Sequence, residues 1–335
     1  MERWMITVVG EALVDLTLPS GSAMTPDGVP LRALPGRGAL SIAVSVARLG
    51  YPVALMAHLS RDALGRLLRR YAAQSGVDVS GSPEMDEPTP IHVGPAAPGK
   101  GERATFYASD PSAWPWTAGD LAWISAETTI VHVGSLAWCS AASTARVLRA
   151  ASRLRQRGAL VCLDLAMCAE VMPTPGQGRV LLERALRSAD VIQAGIEDID
   201  WLYAGRAPQS VAEQWARLGA GLAIVSCGAA GVLAVRAAGS VVYRPAFPVD
   251  VVDPTGARDA FTAGVLTALH DHHQGGEAGQ ALPALPVADV LDLASVIAGM
   301  TCERGGANPP TAAELKERVS PSPARRGRTE RAPRR

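Results

Sequence analysis

The stretch Asp250-Val251-Val252-Asp253-Pro254-Thr255-Gly256-Ala257-Arg258-Asp259-Ala260-Phe261-Thr262-Ala263-Gly264 decides how this chain is read. A small-residue turn, Thr255-Gly256-Ala257, leads through Arg258 and Asp259 into Ala260, Phe261, Ala263, Val265, Leu266 and Leu269, whose spacing is helical rather than alternating. It predicts a loop feeding a helix N-terminus. Such a terminus carries unpaired N–H groups and the positive end of the helix dipole, and the two together suit a phosphate. A carboxylate there, Asp259, is placed to take a proton from a hydroxyl attacking that phosphate. The bland alternative is an ordinary loop with Asp259 in the first helical turn.

Outward from this stretch, short apolar runs rich in β-branched residues recur at 5–9, 53–57, 130–133, 159–163, 191–193 and 222–226. Amphipathic stretches at 41–49, 64–75, 141–157, 178–188 and 210–218 lie between them. Buried strands separated by helices predict an α/β fold, a doubly wound and mostly parallel sheet with ligands at the carboxyl ends of its strands. Segments 16–35 and 86–109 break the rhythm with Pro/Gly punctuation and short alternating pieces at 30–34, 91–94 and 103–107. They predict a small β-structured excursion from one domain spanning 1–317. The remainder, 318–335, is basic and from Ser320 onward rich in Pro, Ser and Arg, so it is expected to be disordered. A solvated tail outweighs a nucleic-acid arm there. The cluster His270, Asp271, His272 and His273 invites a metal reading, but a loop before Gln274-Gly275-Gly276-Glu277 is preferred.

Composition narrows the function. With 335 residues and 48% hydrophobic content the chain can bury a large core, and its formal net charge of zero gives no reason to expect nucleic acid or a membrane as partner. The start of the chain is a short strand-like run, and no segment reaches about 18 uninterrupted apolar residues, so a cytoplasmic protein is expected. Cys139, Cys162, Cys168, Cys227 and Cys302 are scattered without Cys-x-x-Cys spacing and read as reduced, space-filling thiols.

The 250–264 stretch resembles the second signature of the ribokinase (PfkB) family of sugar kinases, Asp-Thr-Thr-Gly-Ala-Gly-Asp-Ala-Phe. The resemblance implies that Asp259 is the catalytic base, that Gly256, Ala257 and Arg258 form the anion hole, and that ATP with Mg2+ and a monovalent cation such as K+ are the cofactors. Further pieces follow in family order over about residues 5–312. Gly10 to Asp15 is similar to the opening strand and turn, which implies that Asp15 binds substrate hydroxyls. Residues 35–50 resemble the first signature, placing Gly36, Gly38 and Ser41 at the sugar. Ser226-Cys227-Gly228-Ala229-Ala230-Gly231 is similar to the nucleotide loop, giving Ser226, Gly228 and Gly231, with Thr255 and Gly256, contact with ATP. Thr301 to Ala307 looks like the segment near the adenine and the monovalent-cation site. Phe106-Tyr107, with Asp110, Ser112 and Ala113, leans toward the fructokinase-like branch and puts Phe106 at the substrate. The family's β-sheet lid is inserted at the two irregular segments, and it implies water exclusion on closure and a homodimer through the lid.

Departures fall on chemistry. Arg37 replaces a glycine and Ser41 an asparagine in the first signature; Asp-x-Asn-x-Arg becomes Asp164-Leu165-Ala166-Met167-Cys168. The family's Asn-x-x-Glu, which helps order magnesium through water, aligns with Gly195-Ile196-Glu197-Asp198, leaving Asp198, or Glu197 beside it, as the indirect metal residue. The second signature's second glycine is Arg258, which either reaches the γ-phosphate as a catalytic cation or fills the pocket or pairs with Asp259. Two functions stay open: an ATP-dependent phosphotransferase acting on a sugar or sugar-like hydroxyl, and a catalytically impaired kinase-like protein with a ligand-binding or regulatory role. A third reading, a dinucleotide oxidoreductase, is poor, because Gly10 is not followed by Gly-x-x-Gly and the fingerprint is missing.

Overall fold

The computed structural model describes residues 5–18, 21, 23–95, 105–107, 115–134, 137, 141–166, 174–273 and 282–320. Their strands are, in chain order, β1 (Met5–Gly10), β2 (Val14–Leu18), β3 (Arg32–Pro35), β4 (Val53–Ala57), β5 (Leu59–Ser60), β6 (Glu84–Met85) and β7 (Ile91–Pro95). They continue as β8 (Thr105–Tyr107), β9 (Thr128–Val133), β10 (Leu160–Asp164), β11 (Val191–Gly195), β12 (Leu222–Ser226), β13 (Val232–Arg236) and β14 (Val241–Arg244). The helices are α1 (Ala39–Arg48), α2 (Ala63–Gln74), α3 (Ala118–Leu121), α4 (Ala141–Gln156) and α5 (Pro175–Leu186). After these come α6 (Ile196–Leu202), α7 (Pro208–Leu218), α8 (Ala257–His273), α9 (Val287–Cys302) and α10 (Ala312–Val319).

Eight strands form one sheet in the order β14-β13-β12-β11-β10-β9-β1-β4. From β12 to β4 all neighbours are parallel, while β13 and β14 are antiparallel additions at one edge. The parallel strands read as nearly continuous apolar runs because both faces are covered. Ile6, Val8, Ile130, Leu160 and Ile224 face a core shared with α1, α8 and α9. Val9, Val131, Val133, Val161 and Leu163 face a second cluster, and Ile192, Ala194, Ala223 and Val225 a third. Helices α8 and α9 meet so closely that a Cβ added to Gly264 would lie 2.7 Å from Ala294 Cα. Glycine is therefore required at that crossing.

Strand β1 sits between β4 and β9, so the chain moves to one side of β1 to form β4 and then crosses to its other side for β9. Such a switch point opens a crevice at the strands' carboxyl ends. Beside it a second sheet, β3-β2-β7-β8, is built from the irregular segments of the sequence. Three outcomes differ from expectation. The His270–His273 cluster is the last turn of α8, not a loop: His270 stacks edge-on against Tyr51, and His273 contacts the Gly158 carbonyl at 3.2 Å. Helix α10 runs through Val319, past the expected domain end at 317, and the tail beyond Ser320 lies outside the described residues. The β13–β14 hairpin, α6 and α9 were not anticipated. Among the described residues, no helix is long and apolar enough to cross a membrane. Cys162, Cys227 and Cys302 carry free thiols; Cys139 and Cys168 lie outside the described residues.

Candidate active site

The crevice is walled by the carboxyl ends of β1, β10 and β11 and by the N-termini of α1 and α8. Helix α8 begins at Ala257 after Gly256, whose φ of 79° is the left-handed conformation that glycine adopts without strain. A Cβ on Gly256 would also lie 2.7 Å from Ala307 Cβ, so this loop packs directly on the segment following α9. Asp253 fixes the same junction, accepting from Thr255 N at 2.9 Å and from Gly306 N at 2.8 Å. Ala257 N donates to Pro254 O at 3.2 Å, whereas the amides of Arg258 and Asp259, in the first turn, have no helix carbonyl beneath them.

Asp259 lies at the crevice floor, and its Oδ2 accepts a hydrogen bond from Gly38 N at 3.1 Å. Gly38 caps α1 with φ 73° and ψ −135°, and a Cβ there would fall 1.8 Å from Glu11 Oε1. The two signature loops therefore meet at one hydrogen bond. Removal from water pushes the Asp259 carboxyl up to about 7; the Gly38 amide opposes the shift, the Asp164 charge adds to it, and Arg258 and Arg37 reduce it. A carboxylate with that basicity is suited to accepting a proton near neutral pH.

The other candidate residues divide into two groups. Gly36 N bonds Leu13 O at 2.9 Å, and the Ser41 hydroxyl donates to Gly36 O at 2.8 Å, so Ser41 holds the loop with its proton and faces a ligand only as an acceptor. Asp15, on β2, is 2% exposed; His92 Nδ1 lies 2.7 Å from its Oδ1 and Arg37 Nε 3.4 Å from its Oδ2. Phe106, on β8, pairs across the small sheet with His92. Asp110, Ser112 and Ala113 lie outside the described residues. Across the crevice, Ser226 ends β12 and bonds Ala194 O at 3.3 Å, followed by a 3-10 turn at Gly228–Ala230. Gly231, with φ 102°, would place a Cβ 2.2 Å from Arg244 O.

Arg258 does not pair with Asp259, one of the courses read from the sequence. Its Nη2 donates to Asp164 Oδ1 at 2.5 Å and to Asp198 Oδ2 at 2.6 Å, rather than pairing with Asp259. Burial works against its charge, and the two carboxylates more than offset that, so the guanidinium is held protonated. Asp198 also accepts from Gly195 N at 2.8 Å, while Glu197 is exposed. Behind them His132 is buried with no hydrogen-bond partner among the described residues, and desolvation lowers it to about 4, keeping the ring neutral. With Asp198 engaged by a guanidinium and a backbone amide, these residues do not fit a divalent ion ordered through Asp198. Sequence reasoning missed the Arg258–Asp164 and Asp15–His92 pairs; the sequence signal for the first was that Arg258, like Arg37 near Asp15, puts a cation where the family pattern has a glycine.

Comparison with known proteins gives a consistent result. Residues 4–314 match the model of the pfkB family of carbohydrate kinases. A fructokinase of Klebsiella pneumoniae is 32% identical over 277 residues, covering 80% of this chain and 85% of that protein. The crystal structure of a fructokinase from Xylella fastidiosa with bound ATP superposes with a TM-score of 0.79 at 23% identity, covering 96% of this chain and all of that one. A fructokinase double mutant of Vibrio cholerae O395, in its fructose-, ADP- and potassium-bound form, gives 0.76 at 23% identity, covering 94% and 96%.

Proposed function

The chain belongs to the pfkB family of carbohydrate kinases, and from this we propose that it transfers the γ-phosphoryl group of ATP to a hydroxyl of a sugar or sugar-like substrate, with Asp259 as general base. The observation that carries the assignment is the meeting of the two signature loops at Asp259, which stands in the first turn of α8 and accepts from Gly38 N at 3.1 Å. Asp259 takes the proton of the attacking hydroxyl. The amides from Gly256 to Asp259 hold the transferring group, where fixed dipoles act on developing charge without reorganising. Asp15 accepts from vicinal substrate hydroxyls, with Gly36, Gly38, Ser41 and Phe106 around them. Ser226, Gly228, Gly231, Thr255 and Gly256 hold the nucleotide. The reading as a non-transferring ligand binder is disfavoured, since the chain matches the carbohydrate-kinase family over residues 4–314 and keeps Asp259 in the first turn of α8.

ATP is the phosphoryl donor, with magnesium as the divalent ion carried by its phosphates; given the fit at Asp198, no step is drawn through the metal. For K+, Asp253 and the carbonyls of Thr301–Ala307 are the oxygen donors that a hard cation prefers. The β3-β2-β7-β8 sheet acts as a lid that excludes water, and exposed Leu31 and Tyr107 favour its pairing with the lid of a second copy. We place the enzyme in the cytoplasm, where ATP is at hand and its thiols stay reduced.

A coupled ADP-release screen over fructose, other sugars and nucleosides tests the proposal. Turnover with none of them, despite bound nucleotide, would defeat it. With the accepted substrate, kcat/KM should rise with pH through about 7 and level off above, because only ionised Asp259 accepts the proton. A flat profile between about pH 6 and 8 would remove Asp259 as the base.

A further inference from the structure

Helix α4 and the residue that follows it carry four arginines on one side. At about 100° of rotation per residue, Arg146, Arg149, Arg153 and Arg157 fall within an arc of roughly 80°. All four line one groove between α3 and α4, with a volume of about 290 Å³. Its floor is apolar: Leu121 and Leu154 are 8% and 7% exposed, and Ile124 packs against the same cluster. Arg146 is fixed at one end of the groove, where its Nη1 donates to Trp116 O at 3.3 Å. Arg149, Arg153 and Arg157 are exposed along its length.

No carboxylate answers these charges. Among the described residues none of the four is ion-paired, and no acidic residue lines the groove. Arg155, on the other side of the same helix, gives the contrast: it pairs at 2.9 Å with Asp190, which is 4% exposed. The acidic residue of α3, Asp120, is engaged in capping its own helix, accepting from Thr117 N at 2.8 Å and from Thr117 Oγ1 at 2.7 Å. Like charges three and four residues apart repel and weaken a helix. The helix dipole offsets that repulsion in the last turn, which accounts for Arg153 but not for Arg146 or Arg149.

We propose that this groove is a second binding site, separate from the crevice, for a small molecule carrying two phosphate groups. Strands β9 and β10 are parallel, so α4 between them runs back from their carboxyl ends to their amino ends, and Arg153 and Arg157 lie at the end remote from the crevice. A guanidinium fork matches phosphate oxygens in pairs, and two phosphates at about −2 each balance four arginines. The volume is at the small end of ligand pockets and suits a compact metabolite, whose spacer would rest on Leu121 and Leu154. The chain as a whole has no excess of positive charge to draw a nucleic acid to this face.

Calorimetric titration of the full chain at about 0.15 M salt, where loose surface pairing is screened, tests this with butane-1,4-diol bisphosphate and with inorganic pyrophosphate. At least one probe should bind, and the double variant Arg149→Gln, Arg153→Gln should bind it about tenfold more weakly or worse, with turnover of the accepted sugar within about twofold of the parent. Tighter binding of the bisphosphate assigns the groove an organic ligand seated on the apolar floor, and tighter binding of pyrophosphate an inorganic one; either result supports the site. Relief of repulsion should leave the double variant melting no lower than the parent. Arg153→Glu, which reverses one charge, should abolish binding and gives an independent check. Binding of neither probe, or equal binding in parent and folded variants, overturns the proposal. So does tighter binding of a single-stranded oligonucleotide or of polyglutamate than of both probes, which would mark a surface for a macromolecule. None of these outcomes bears on the kinase reading, which is decided by turnover.

Discussion

Replacing Asp259 by asparagine should lower kcat roughly 100-fold or more while leaving nucleotide affinity within a few-fold, the signature of a lost general base. The amide is nearly isosteric, and its oxygen can still accept the Gly38 N–H that Asp259 now receives at 3.1 Å. Steady-state kinetics with the accepted sugar, beside an ATP titration, separates chemistry from binding. Equal turnover in variant and parent would remove Asp259 from the mechanism. Melting curves supply a control of known sign. The folded protein holds the Asp259 proton up to about 7 against 3.8 for the free group, so this residue's contribution to stability is lost as pH rises through about 7. The asparagine variant, lacking that charge, should melt no lower than the parent at pH 8, and a large drop would point instead to damaged structure.

Asp15→Ala should act on the substrate rather than on the chemical step. Loss of charge-assisted hydrogen bonds to two hydroxyls is worth about 1.5 to 3 kcal/mol, or roughly 10- to 150-fold in sugar affinity. The deletion also leaves His92 and Arg37 without the carboxylate they now share, so the comparison is best made with Asp15→Asn, which retains an acceptor. An unchanged sugar KM in both variants would mean that the carboxylate serves only to hold Arg37 and His92.

What could be read from the chain alone follows from which forces are local. The parallel strands were legible because burial on both faces writes a continuous apolar run, as at Leu160 to Leu163 or Leu222 to Val225. The turn leading into α8 was legible because a positive-φ glycine next to a helix start is a short-range requirement. Helix α9 was missed because it is apolar on most sides and so lacks an amphipathic stripe. The His270–His273 turn was misread because polar residues at a helix end look like a loop until Tyr51 and Gly158 arrive to contact them. Arg258 escaped for a related reason: its partners lie 94 and 60 residues away, and no local rule selects them over Asp259 next door.

The hydrogen bond from Gly38 to Asp259 spans 221 positions of sequence and has a practical consequence for redesign. With the 35–41 loop at the sugar and Asp259 as base, as proposed, the loop that holds the substrate also supplies a donor to the proton acceptor, so specificity and rate would not be separable modules. Grafting a relative's 35–41 segment to import a new sugar preference would shift the start of α1 and, with it, the carboxylate at the crevice floor. Successful exchanges should therefore be those that transplant this loop together with the 250–259 turn, as one unit in three dimensions although two in the gene.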